Sequence, residues 1–275
     1  MAMSELKATV LVDNIEKGCL EGEWGLSFFI EYGGNKILLD AGSGKAFYRN
    51  ALRLGADLDT ADFAVLSHAH YDHADGFPCF FAHNGKSKLY LRTGSKENCF
   101  SKHGLFAKYI GIKKGMLETY KDRIVYVDGD YELCPGVYLV GHKGTDNALK
   151  GKKAGMYRRE GIRRIDDDFS HEQSLVFDTS KGLVIFNSCS HAGAADIIDE
   201  VLQTFPGKTV YALIGGFHLF RSSDADVRSL AEKIKSTRTE KIVTGHCTGG
   251  NAFIILKEIL GDRAEQMTSG YVFEI

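Results

Sequence analysis

The sequence lacks the features that would place the protein in or beyond a membrane. No apolar run approaches the roughly 20 residues that a membrane-spanning helix needs, and the first residues (MAMSELKATVLVDN) do not follow a signal-peptide pattern. The six cysteines are scattered, with no C-x-x-C pair and no dense framework, which is typical of reduced thiols. We therefore expect a cytoplasmic protein without a membrane partner.

The sequence also lacks an excess of charge of either sign. It has 34 Lys and Arg against 36 Asp and Glu, so the formal net charge is −2, and the pI is about 6.6. Proteins that bind nucleic acid normally present a strongly basic face. We therefore expect no nucleic-acid partner.

Length and element order favour one α/β domain over residues 1–275. After residue 174, predicted strands and helices alternate regularly. Residues from about 84 to 168 lose this rhythm and contain many Lys and Arg. We interpret them as a basic region inserted into the single domain.

A cluster of metal-binding residue types follows a predicted strand. The strand at 61–67 (ADFAVLS) leads into the spacing H-x-H-x-D-H. His68 and His70 are two apart on an extended segment, so their side chains point the same way. Asp72 and His73 follow a turn, at an angle suited to a second ion. Because imidazole and carboxylate are ligands that zinc prefers, this segment predicts a metal site.

Three later segments end predicted strands with polar residues. They are 187–191 (NSCSH), 215–219 (GGFHL) and 244–249 (TGHCTG). In open α/β architectures, ligands bind at the carboxyl ends of strands. We therefore expect these segments to contribute to the same site.

The spacing H-x-H-x-D-H after a hydrophobic strand resembles the metallo-β-lactamase superfamily. Upstream, residues 25–42 contain two short strands joined by Gly-Gly-Asn and end in L-D-x-G, which this superfamily places beneath its metal loop. The resemblance implies a four-layered αββα sandwich that holds one or two divalent ions, zinc in the first place and otherwise manganese or iron. It also implies that Asp40 orients the metal loop, although Asp40 could instead be a simple turn residue.

The resemblance further implies the remaining ligands. His191 would complete the first site with His68 and His70, and His171 is a competing third ligand that precedes a strand. His246 would complete the second site with Asp72 and His73.

One position departs from the superfamily pattern. Many members have an aspartate that bridges two metals directly after one of the later strands of the fold. This chain has Asn187-Ser188-Cys189 at that position. Cys189 is either a thiolate ligand or a buried structural thiol. Without the bridging carboxylate, the second site could be weak, and both one-metal and two-metal occupancy remain open.

The later segments, with 167–169 (DDF) and 172–175 (EQSL), resemble a subgroup associated with dihydropterin chemistry. The reaction that this implies is displacement of pyrophosphate from a dihydropterin methyl pyrophosphate by an arylamine. The alternative is hydrolysis of a small phosphorylated or ester substrate by water that the metal activates. In hydrolysis, Asp72 would accept a proton and His218 would act as donor or general acid; His218 could instead bond only to backbone.

Either reaction implies a small anionic substrate. Thr248 and four arginines of the basic region are expected to contact it, since guanidinium suits phosphate oxygens. These arginines are Arg158, Arg159, Arg163 and Arg164. The alternative is a solvated loop whose charge is balanced by the aspartates at 166–168. The oligomeric state does not follow from the sequence.

Overall fold

Two seven-stranded sheets face each other in the computed structural model, which describes residues 5–103 and 106–275. The first sheet has the order β18-β1-β2-β3-β4-β5-β8. Its strands are β1 (Leu6–Val12), β2 (Ser27–Tyr32), β3 (Asn35–Leu39), β4 (Phe63–Val65), β5 (Lys88–Arg92), β8 (Ile124–Val127) and β18 (Val272–Glu274). The predicted hairpin is β2 and β3, which pair through the turn at Gly33 and Gly34.

The second sheet has the order β17-β16-β15-β14-β13-β10-β9. Its strands are β9 (Tyr131–Cys134), β10 (Val137–Gly141), β13 (Gln173–Thr179), β14 (Gly182–Phe186), β15 (Val210–Gly215), β16 (Lys241–Thr244) and β17 (Ala264–Gln266). β14, β15 and β16 run parallel, as do β3, β4 and β5 of the first sheet.

Helices cover the outer face of each sheet. Beside the first sheet lie α1 (Ala46–Leu54) and α3 (Phe77–His83), and beside the second lie α6 (Ala194–Thr204), α7 (Asp224–Ser236) and α8 (Gly250–Leu260). The short helices are α2 (Tyr71–Ala74), α4 (Met116–Thr119) and α5 (Asn147–Ala154). In the described ranges 5–103 and 106–275, no helix is long and apolar enough to span a bilayer.

Alternating side chains produce three apolar layers. In β14, Val184 and Phe186 point into the core between the sheets, whereas Leu183 and Ile185 pack against the outer helices. This period of two is what a sheet buried on both faces requires. The result is the four-layered αββα sandwich that the sequence predicts.

A small four-stranded sheet, with the order β12-β11-β6-β7, lies outside the sandwich. Its strands are β6 (Cys99–His103), β7 (Phe106–Tyr109), β11 (Met156–Glu160) and β12 (Arg163–Asp166). The predicted inserted region at 84–168 also contains β5, β8, β9 and β10, which belong to the two large sheets. The strands outside the sandwich are therefore confined to two segments, around residues 99–109 and 156–166.

Candidate metal centre

Three histidines converge where the parallel strands of both large sheets end. His68 and His70 follow β4, and His191 follows β14. Their ligand atoms lie within 4.8 Å of one another. The Nε2 atom of each ring is buried and has no hydrogen-bond partner among the described residues. Buried polar atoms are rarely left unpaired, so these three nitrogens fit a bound cation.

The protonation state of these rings also fits a cation. Burial, reinforced by the neighbouring imidazoles, lowers the pKa values of His68, His70 and His191 well below the usual histidine range. The rings are therefore neutral near pH 7. Neutral imidazole is the form that binds a metal ion.

A second cluster lies beside the first. Asp72, His73 and His246 place their ligand atoms within 4.8 Å of one another. The Nε2 atoms of His73 and His246 are 3.2 Å apart, and Asp72 Oδ2 lies 3.6 Å from His246 Nε2. Burial lowers the pKa of His246 to about 3. For His73, burial acts in the same direction, but the carboxylates of Asp72 and Asp40 outweigh it and raise the pKa.

Asp40 ties the metal loop to the end of β3. Its carboxylate accepts hydrogen bonds from the Ser67 N–H and Ser67 hydroxyl, both at 2.7 Å. Asp40 Oδ2 also lies 2.8 Å from His73 Nδ1, and Ser67 Oγ lies 2.9 Å from His68 Nδ1. Partners on Nδ1 fix the orientation of each ring and leave Nε2 as the nitrogen that would bind an ion.

The loop after β1 supplies partners that the sequence motifs did not reveal. Asn14 Oδ1 lies 2.9 Å from His246 Nδ1, and Asp13 accepts the His246 N–H at 2.9 Å. Burial raises the pKa of Asp13 to about 7. These residues precede His246 by more than 230 positions, so only the fold brings them together.

The ring of His171 is held by residues outside the first cluster. Its Nδ1 accepts the Ala69 N–H at 3.2 Å, and its Nε2 lies 3.2 Å from Asp167 Oδ2. Both ring nitrogens thus have partners, whereas His191 Nε2 has none. The geometry favours His191 over His171 as the third ligand of the first cluster.

Cys189 lies between the two clusters. Its Sγ is 3.3 Å from His73 Nε2 and forms a third potential ligand group with His68 and His73. Cys247, which sequence reasoning missed, places its Sγ 3.3 Å from Cys189 Sγ. Both thiols are buried and neither is in a disulfide.

A cavity of about 980 Å³ opens beside the metal cluster and is within the usual range for small-molecule sites. Its wall includes His70, Asp72, His191 and His218, with aromatic side chains from Trp24 and other residues. The ring atom Nδ1 of His218 has no partner in the part of the chain that the structure describes. The ring of His218 also lies close to two thiols, since ligand atoms of His218, Cys189 and Cys247 are within 4.8 Å of one another.

Several residues in or beside the two ligand clusters have strained backbones. Ser190, His218 and His246, which follow β14, β15 and β16, have φ values of 52°, 51° and 48°. Asp40, after β3, has a φ of 57°. Non-glycine residues rarely adopt this left-handed conformation, and such strain concentrates at functional sites.

The four arginines predicted to bind substrate do not line this cavity. Arg158 is buried and bonded to Asp168 at 2.7 Å. The cations of Arg159 and Arg164 stack on rings of the small sheet, and Arg163 is exposed near the β11–β12 turn. The structure thus places the four arginines away from this cavity, because charge density along the sequence does not specify which face of a sheet a side chain occupies.

Thr248 is not accessible to substrate either. It is fully buried, and its hydroxyl accepts the Phe217 N–H at 3.0 Å and contacts the Thr244 hydroxyl at 2.5 Å. Thr248 therefore holds the ends of β15 and β16 together. The cations that do line the cavity are Lys102, Lys108, Lys150, Lys153 and Arg221.

Comparison with known proteins agrees with this architecture. Residues 25–145 match the family model of the metallo-beta-lactamase superfamily. The 7,8-dihydropterin-6-methyl-4-(beta-D-ribofuranosyl)-aminobenzene-5'-phosphate synthase of Methanocaldococcus jannaschii is 29% identical over 269 residues, which cover 91% of this chain and 89% of that protein. An uncharacterized protein of the same organism is 26% identical and covers 91% of this chain and 93% of its own length.

Solved structures show the same likeness. Tm1679, described as a metal-dependent hydrolase of the beta-lactamase superfamily, superposes with a TM-score of 0.84 at 27% identity and covers 98% of this chain and 99% of its own. YhfI from Bacillus subtilis, a metallo-beta-lactamase fold protein, has a TM-score of 0.60 at 11% identity, covers 99% of this chain and 100% of its own, and shares the fold alone. With its H-x-H-x-D-H loop and its four-layered sandwich, this chain is similar to proteins of the metallo-β-lactamase superfamily, whose family model matches residues 25–145.

Proposed function

We propose that the protein is a metal-dependent enzyme that displaces pyrophosphate from a small substrate held in the cavity. The observation that carries this proposal is the convergence of three buried, unpartnered Nε2 atoms, from His68, His70 and His191. Of these residues, His70 and His191 line the cavity. A nitrogen-rich donor set of this kind favours zinc over magnesium or calcium.

A divalent ion bound by these histidines would supply positive charge that stabilises the leaving group. The surrounding side chains of the protein have complementary roles. The Asp72 carboxylate faces the cavity and would accept the proton that the nucleophile loses. His218 lines the same cavity, and its ring would hydrogen-bond an oxygen of the substrate.

The nucleophile that we favour is an arylamine attacking a dihydropterin methyl pyrophosphate. In this reaction the amine nitrogen forms a bond to the methylene carbon, the carbon–oxygen bond to pyrophosphate breaks, and the amine proton passes to Asp72. The support is the 29% identical relative from Methanocaldococcus jannaschii, a dihydropterin-related synthase. The cavity of about 980 Å³ also has room for two ring-containing reactants.

Water is the second candidate nucleophile. The support is Tm1679, the 27% identical protein described as a metal-dependent hydrolase. In that case the enzyme would hydrolyse a small phosphorylated or ester substrate, and the same histidines and Asp72 would serve the reaction.

One experiment separates these functions. Zinc-loaded protein is incubated with a dihydropterin methyl pyrophosphate, with and without an arylamine, and pyrophosphate and the condensed product are both measured. Release that requires the arylamine supports the synthase, and release without it supports the hydrolase. His191→Ala is the control for background reaction. Absence of turnover with this substrate and with a panel of phosphoesters and esters would contradict the proposed enzyme.

A further inference from the structure

The small four-stranded sheet forms one wall of the cavity. Ser101 of β6 lies opposite Lys108 of β7 and opposite Met156 of β11. Directly opposed residues of antiparallel strands share a face, and all three line the cavity. Strand register therefore directs Lys108 towards the site.

β7 is also joined directly to the metal loop. The Tyr71 N–H donates to the Ile110 carbonyl at 2.9 Å, and His70 forms a β-bridge with Gly111. Lys108 is two residues before Ile110, which corresponds to roughly 7 Å along a strand. Its Nζ lies 5.6 Å from the centre of the ring of Tyr71, the residue between His70 and Asp72 in the metal loop.

The cations that line the cavity differ in their partners. Lys150 bonds to Asp196 at 2.8 Å, and Lys153 is 3.7 Å from Asp226. Across residues 5–103 and 106–275, Lys102, Lys108 and Arg221 form no ion pair. These three cations are therefore available to an anion that enters the cavity.

We infer that Lys108 binds the diphosphate group of the substrate, with Lys102 and Arg221 as further cations of the same cavity. This inference rests on the proposed function, which it deepens by assigning the residue that recognises the leaving group. Ammonium groups bind phosphate oxygens through charge-assisted hydrogen bonds.

The test is calorimetric binding of inorganic pyrophosphate to the zinc-loaded, full-length protein. Lys108→Met keeps an unbranched stem on Tyr71 and removes the charge, whereas Lys108→Arg keeps the charge. We expect Lys108→Met to bind about tenfold more weakly and Lys108→Arg to stay close to the unmodified protein. Lys121→Met is the matched control, because Lys121 is exposed, outside the cavity and paired with Glu118.

Zinc content and thermal unfolding of each variant show whether the protein remains loaded and folded. Equal pyrophosphate affinity in Lys108→Met and the unmodified protein would overturn the inference, as would an equal loss in Lys121→Met. The binding measurement does not depend on turnover. If neither condensation nor hydrolysis occurs but Lys108→Met still loses affinity, the anion site stands and the proposed function fails.

Discussion

Asp40 Oδ2 lies 2.8 Å from Nδ1 of His73, and both side chains are fully buried. The same carboxylate holds the backbone of Ser67, directly before the first histidine of the metal loop. One side chain at the end of β3 thus positions ligands of both clusters, directly for His73 and through Ser67 for His68.

Replacement of this carboxylate should weaken metal binding without unfolding the protein. Asp40→Asn keeps the shape of the side chain, and asparagine tolerates the φ of 57° at this position. We expect zinc affinity to fall by about 10- to 100-fold, as for other partners that orient metal ligands. Competition with a chromophoric chelator measures this. Asp59→Asn, in an exposed turn, should leave the affinity unchanged; an unchanged affinity in Asp40→Asn would show that the carboxylate does not orient the ligands.

Removal of the third histidine should abolish binding at the first cluster. His191→Ala leaves His68 and His70 with two nitrogens, fewer than the three protein ligands typical of catalytic zinc. Elemental analysis after dialysis should show at least one ion fewer per chain than in the unmodified protein. His83→Ala is the control, because His83 is exposed at the end of α3 and stacked on Tyr48. Full metal content in His191→Ala would show that another residue is the third ligand of the first cluster.

The two neighbouring thiols should differ in their effect on metal content. Cys189 lies 3.3 Å from His73 Nε2, so Cys189→Ser should reduce occupancy of the second cluster and leave the first ion bound. Cobalt-substituted protein gives a spectroscopic readout, because a thiolate ligand adds a sulfur-to-cobalt charge-transfer band. The band should persist in Cys247→Ser and disappear in Cys189→Ser. Loss of all metal in Cys189→Ser would mean that this thiol also holds the first ion.

The pair of Asp167 and His171 should matter for stability. Both side chains are fully buried; burial opposes ionisation of Asp167, but the neighbouring His171 outweighs it and lowers the carboxyl pKa to about 2. Asp167→Asn should reduce the free energy of unfolding by about 3 kcal/mol, since it leaves His171 without its charged partner. Urea denaturation checks this. Asp168→Asn, with a side chain 45% exposed, should cost less than about 1 kcal/mol; similar losses in both variants would argue against a special role for the buried pair.

The sequence predicted most of the sandwich, because its elements follow local rules. The spacing of Phe47, Ala51 and Leu54 predicts a helix at 46–54, and α1 has these bounds. The Gly-Gly turn joins β2 and β3 as predicted. β4 is shorter than the predicted strand at 61–67. The reason is not local: the N–H of Ser67 bonds to the Asp40 side chain instead of a neighbouring strand.

The features that sequence analysis missed depend on long-range pairing. β6 pairs with β11, more than 50 residues later in the chain, and no short sequence motif predicts this sheet. Arg158 and Arg159 are adjacent on one strand, so their side chains point to opposite faces of the sheet. The composition of the segment does not show which of the two arginines lies on which face. Asn14 and Cys247 meet the metal ligands only after both large sheets have docked.

The ligand groups also determine when the centre can assemble during synthesis. The first cluster requires residue 191 and the second requires residue 246, so a ribosome must translate most of the chain before either is complete. A nascent chain that has exposed only the H-x-H-x-D-H loop offers an incomplete donor set. Metal capture is thus a late event in biogenesis, and an ion that binds only the finished fold favours that fold by mass action.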